Sequence, residues 1–244
     1  MNPNPLLKCL AISAFALASC EKKEEEAAIP ANPTNAIDQE FRKADTPILP
    51  IKKGDFWKYT IRVEVPEGIT SESGAALDVV REKTRTFLGK VKVSETHPEV
   101  DAFDVSSPGQ PLERELVEIY DDRVMMRGTA SPDLPDAKPM WLEPAIPFVV
   151  AGMRSGQQML DIEVQDGARQ RGLKVVAREK VKVPAGEYQA IRMLMTGNDG
   201  PFEIRRTTWF APRVGIVKEE RTRYAKEKLI MRETVEMTET SVKD

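Results

Sequence analysis

Histidine and cysteine are almost absent from this chain. One histidine, His97, and two cysteines stand among 244 residues. That excludes a zinc site built from several imidazoles and thiolates, and makes any histidine-dependent triad rest on a single side chain. Both cysteines, Cys9 and Cys20, lie in the first 20 residues. A basic excess is missing too: 36 lysines and arginines face 39 acidic residues, a net charge of -3, whereas nucleic-acid binders carry the opposite balance. No GxGxxG or GxxxxGK[S/T] phosphate loop occurs, so the usual nucleotide cradle is lacking. Long apolar runs are also missing. The uncharged run from Cys9 to Ser19 falls well short of the roughly 20 residues of a permanent membrane helix. The rest, 41% hydrophobic and 31% charged, has the balance of a globular protein.

What is present begins with an export pattern. Lys8 precedes the apolar run, and Leu17, Ala18 and Ser19 lead into Cys20. This order resembles the lipobox of bacterial lipoproteins, in which the cysteine thiol receives diacylglycerol, the signal is cut just before it, and the new amino terminus is acylated. Cysteine offers the nucleophilic sulfur such an attachment needs. The resemblance implies that residues 1–19 are a signal peptide and that Cys20 is the lipidation site. Acyl chains contributing roughly 0.8 kcal/mol per buried methylene would then hold the body on a bacterial membrane. Glu21 departs from the aspartate linked to inner-membrane retention in the best-known sorting system. An outer-membrane position facing the periplasm is therefore expected, ahead of the inner membrane or cell surface. With Cys9 removed and Cys20 consumed, no disulfide is expected, and a body this long buries enough surface to fold without one. No metal and no cofactor are expected.

Residues 20–50 read as a lipidated terminus and flexible tether, mixing charge, alanine, Pro30 and Pro33, with room for a short helix around residues 35–42. From Gly54 strict alternation takes over. Trp57, Tyr59, Ile61, Val63 and Val65 share one face against Lys58, Thr60, Arg62 and Glu64, the mark of a half-buried antiparallel strand. Similar runs fill residues 51–129 and 156–240, two antiparallel β regions. Between them residues 130–155 carry Pro132, Pro135, Pro139, Pro144 and Pro147. That density excludes a regular central strand or long helix and suggests a crossing between two sheets, anchored by Trp141, Leu142, Ile146 and Phe148. The expected fold is all-β: curved antiparallel sheets, two related halves in one body.

The relation between the halves is visible in the sequence. KVKV at Lys90 returns at Lys180, and the same offset places Tyr120, Arg123 and Val124 on Phe210, Arg213 and Val214; two matches at one spacing indicate a duplication. The second half also resembles a group of poorly characterised bacterial lipoproteins and periplasmic proteins. The shared pattern covers Val183, Pro184, Ala185, Gly186, Glu187, Tyr188 and Ala190, then Trp209, Phe210, Ala211, Pro212, Val214 and Gly215. Arg213 stands where that group has glycine, so a turn needing positive φ would be strained. The resemblance implies a curved two-sheet architecture and brings no assigned activity.

Candidate chemistry is sparse. His97 lies in SETHPEVD before Pro98 and reads as an exposed turn residue. The carboxylates show no local pattern of a glycosidase pair, which leaves a carboxylate-dependent hydrolase as the weakest reading. Residues 151–244 hold 18 basic against 14 acidic side chains. Arg205, Arg206, Lys218, Arg221 and Arg223 could form a modest positive surface toward lipid, glycan or an envelope protein. Trp57, Tyr59 and Trp209 could line a ligand cavity beneath a curved sheet, although strand aromatics ordinarily fill cores. The leading expectation is a membrane-anchored, non-catalytic protein with a binding or envelope-structural role. The alternative is a carrier of lipid or another hydrophobic ligand.

Overall fold

The computed structural model describes residues 47–66, 79–134, 137–158, 162–163 and 169–243. Cys20, the signal segment and the short helix expected around residues 35–42 lie outside them. Among the described residues twelve strands follow one another: β1 (Phe56–Glu64), β2 (Val79–Val91), β3 (Val100–Ser106), β4 (Glu113–Ile119), β5 (Arg123–Ala130), β6 (Met140–Val150), β7 (Ile162–Glu163), β8 (Arg169–Val183), β9 (Gly186–Asp199), β10 (Phe202–Ala211), β11 (Gly215–Ala225) and β12 (Lys228–Thr240). In β1 the alternation becomes burial, with Trp57, Tyr59, Ile61 and Val63 inside while Lys58, Arg62 and Glu64 are exposed. Short turns of the expected kind reverse the chain. Pro184 and Ala185 join β8 to β9, where Val183 pairs with Gly186, and Gly186 takes φ +143, a value that favours glycine.

All strands belong to one antiparallel sheet in the order β6-β5-β4-β3-β2-β1-β12-β11-β10-β9-β8-β7. The offset of 90 between Lys90 and Lys180 carries β2 through β6 onto β8 through β12. The two related halves are therefore six-stranded and joined head to tail where β1 pairs with β12. They share one continuous sheet rather than forming two separate ones. The sheet curls into a nearly closed barrel, since side chains of β4, β5 and β6 line the same space as those of β10 and β11.

Two sequence expectations change. The proline-rich segment does not cross between sheets: residues 140–150 form edge strand β6, hydrogen-bonded to β5. Pro144 falls in the bulged stretch of β6 between the Trp141 and Ile146 pairings, where no ladder bond is lost, and Pro147 is tolerated because β6 is an edge strand. Leu142 and Ile146 are buried as expected. The tether boundary at Pro50 also falls inside the body. Ile48 and Leu49 are 3% and 4% exposed. The Ile48 N–H donates to Asp121 O at 2.7 Å, and its carbonyl accepts from the Arg213 N–H at 2.7 Å. One residue thus bridges the β4–β5 and β10–β11 turns, which the repeat makes equivalent. Arg213 has φ +69, the left-handed conformation expected from the glycine pattern.

The main core runs along the concave face. Trp57 packs edge-on against Phe103 at 5.7 Å, and Phe103 against Phe87 at 5.1 Å. Val175, Ile191, Met193, Phe210, Val217, Val235 and Met237 continue it through the second half. A smaller cluster of Val100, Ala102 and Leu116 lies apart from it, with Trp141 packed alongside.

Candidate functional site

The concavity between the halves is apolar at one end and charged at the other. Leu49, Val117, Val124, Met126, Phe148 and Phe210 line the apolar end. Tyr59, Lys83, Arg85, Glu115, Arg206 and Glu219 line the charged end. The two cavities adjoin, sharing Arg85, Glu115, Arg206 and Ile216, and measure ≈ 20 and ≈ 10 Å³. Each is about the space of one water molecule. An organic ligand would therefore have to part the facing strands.

Strand phase explains how charges come to lie inside. In β11 Val217, Glu219 and Arg221 alternate onto one face, and in β10 Arg206, Thr208 and Phe210 do the same. Arg85 Nε donates to Glu115 Oε2 at 2.7 Å. Glu219, with a side chain only 3% exposed, accepts from Arg206 Nε at 2.5 Å and from Arg221 Nε at 2.6 Å. Arg221 reaches Glu233 at 3.5 Å. Burial alone would raise the Glu219 pKa; the guanidiniums of Arg206 and Arg221, with Lys83, outweigh it and hold the carboxyl down to about 2. Burial acts the same way on Glu115, and Arg85 and Lys83 outweigh it, leaving that carboxyl below its ordinary value. Both carboxylates are thus held ionised. Neither offers the proton that the acid of a glycosidase pair must donate.

Lys83 differs from its neighbours. Its ammonium lies 5.3 Å over the Tyr59 ring, and among the described residues it forms no ion pair. Burial lowers its pKa, opposed by Glu115 and Glu219. Burial likewise pushes the Tyr59 phenol upward, so Tyr59 stays a neutral donor, bonded to Ile216 O at 3.0 Å.

The three aromatic residues expected in a cavity wall separate. Tyr59 lines the charged end. Trp57 is fully buried on the same face of β1 and donates from Nε1 to Val214 O at 2.7 Å. Trp209 lies on the opposite face of β10 from Arg206 and Phe210. There its Nε1 donates to Glu179 at 2.8 Å and Lys218 Nζ sits 5.4 Å over its ring. The expected positive surface separates likewise. Arg206 and Arg221 point inward to Glu219, Lys218 bonds Glu220 and Glu236 on the other face, and exposed Arg205 holds Glu203 at 2.8 Å. His97 is on the β2–β3 loop as expected. It is half-buried rather than exposed, its ring 4.3 Å from that of Trp141 and its Nδ1 2.6 Å from Ser94 Oγ.

No protein-family model and no curated protein matches this chain. Two solved structures are similar to it in shape. One, from Parabacteroides distasonis, is described as a "putative lipoprotein"; it has 10% identity and a TM-score of 0.48, covering 80% of this chain and 99% of that one. The other, from Bacteroides fragilis, is described as a "putative exported protein with YmcC-like fold"; it has 15% identity and a TM-score of 0.42, with the same coverage. Likenesses this distant carry no argument about function. Among the described residues no three metal-binding side chains cluster, and no helix is long and apolar enough to cross a membrane.

Proposed function

We propose that this chain is a non-catalytic bacterial envelope lipoprotein, anchored through acylated Cys20, whose folded-over sheet carries a lipid or other hydrophobic ligand between its two halves. The observation that carries the reading is the gradient inside the concavity, from Leu49, Phe148 and Phe210 to Lys83, Arg85 and Arg206. Amphiphile sites have this form, with an apolar wall and a few polar groups that fix orientation. Entry requires β6 to move away from β10, a contact carried by the Arg206 guanidinium 5.3 Å over the Phe148 ring. An edge strand, paired on one side only, is the part of a sheet that can move without breaking two ladders.

The experiment is native mass spectrometry of the Cys20→Ala chain, purified without detergent from a bacterial envelope. The substitution is expected to shift the protein from the membrane to the soluble fraction, and a stoichiometric co-purified amphiphile is the expected finding. The cavity volume favours a second reading, a rigid envelope-structural protein that binds another envelope component by its outer surface. Ligand-free protein that crosslinks to one envelope protein would favour that reading and overturn the carrier.

A further inference from the structure

We propose that the charged end of the concavity is a headgroup subsite for a single-chain amphiphile bearing one negative charge, and that Lys83 supplies the counter-charge. The proposal rests on the carrier reading above and adds the ligand's chemical class. The lining of that end contains three cations, Lys83, Arg85 and Arg206, against two carboxylates, Glu115 and Glu219. Both carboxylates are committed: Glu115 to Arg85, and Glu219 to Arg206 and Arg221. Arg221 adds no further excess, because it also faces Glu233.

Lys83 is thus the unmatched charge. It is half-buried and sits one residue before β2 begins to pair with β3 at Thr84. Its ammonium lines the charged end, 5.3 Å over the Tyr59 ring. Glu115 and Glu219, shared with the guanidiniums, offset the burial of this cation only in part, and an incoming anion relieves the remaining cost. One negative charge balances the lining, whereas two would leave a buried anionic excess.

The tail follows from the adjoining cavity. Its walls are Val117, Val124, Phe148 and Phe210, with Met126 as a side chain able to adapt its shape. The small space between these walls favours one alkyl chain over two, since each added chain forces the halves further apart. The shared chemistry is a monoanionic head on one chain, whether the source is a free fatty acid or a lysolipid.

Calorimetric titration of the full Cys20→Ala chain with dodecanoate, dodecanol and dodecyltrimethylammonium tests the proposal. Dodecanoate is expected to bind about tenfold tighter than dodecanol, with the cationic probe weakest. Lys83→Met should remove that preference, and Lys83→Arg should retain it. Equal binding of dodecanoate and dodecanol overturns the headgroup proposal and leaves the carrier reading intact. A preference that survives Lys83→Met overturns the assignment to Lys83. No binding of any probe overturns the carrier reading and this proposal with it. Should Lys83→Met fail to fold by circular dichroism, the ranking of the three probes on the Cys20→Ala chain still decides the headgroup's charge. A lysophospholipid with an anionic head, set against dodecanoate, distinguishes the two sources.

Discussion

The repeat offers two places where the halves could pair, and the side chains make them different. β1 pairs with β12 from Trp57 to Glu64, with Tyr59, Ile61, Val235 and Met237 buried beneath the join. By strand order β7 corresponds to β1, and by the repeat offset β6 corresponds to β12, yet β6 and β7 are the two edges of the sheet. The physical difference lies in the strands. β12 has no proline, whereas Pro144 and Pro147 interrupt the donors of β6 and blunt it as a pairing edge. Duplication set the strand order and the turns; the chemistry of each join decided which would close. The closed join is a continuous ladder; under the proposed carrier function the open edge is where the concavity widens.

The largest expected effect comes from striking the closed join. Trp57→Ala removes a fully buried ring and its hydrogen bond to Val214 O, and should cost about 3–5 kcal/mol in urea unfolding. A loss below about 1 kcal/mol would mean that the join does not hold the halves together.

Next in size is acid. The Glu219 pKa is depressed from 4.5 to about 2, so its contribution is present above pH 4.5 and is lost as pH falls toward 2. Stability should drop on the order of 2–3 kcal/mol through that window. Glu219→Gln should flatten the drop, although the variant starts less stable because Arg206 and Arg221 lose their shared partner. An unchanged acid profile in that variant would contradict the assignment.

A change at the open edge should act more locally. A Cβ at Gly128 would lie 1.9 Å from Met140 O, so Gly128→Ala should push β6 off β5. The expected cost is about 1–3 kcal/mol, with faster amide exchange in β6 and unchanged exchange in β1 and β12. The smallest effect is a gain. Arg213→Gly relieves a left-handed arginine at φ +69 and should raise stability by about 0.5–1 kcal/mol in thermal melts, net of the entropy that glycine adds to the unfolded chain.

The strands were legible because their alternation is strong, and the repeat was legible from KVKV. The interior charges were also legible and were missed. In IVKEERTRY, Glu219 and Arg221 occupy the same phase as apolar Val217, just as Arg206 occupies the phase of Phe210. A charge in the apolar phase of a strand is a candidate for burial with a partner, whereas charge counting alone suggests a modest positive surface. Trp209 could have been separated from Tyr59 only by knowing the register between distant strands, and register depends on pairing rather than on local pattern. Strand β6 was hidden because its prolines argue against a central strand but are compatible with an edge.

Hydrogen exchange on the Cys20→Ala chain, with and without dodecanoate, tests the central claim most directly. The account predicts that without ligand the amides of β6 exchange far faster than those of β1 and β12, and that dodecanoate slows exchange in β6 and β10 while leaving the β1–β12 join unchanged. Exchange as fast in β1 and β12 as in β6, with no change on adding ligand, would contradict it.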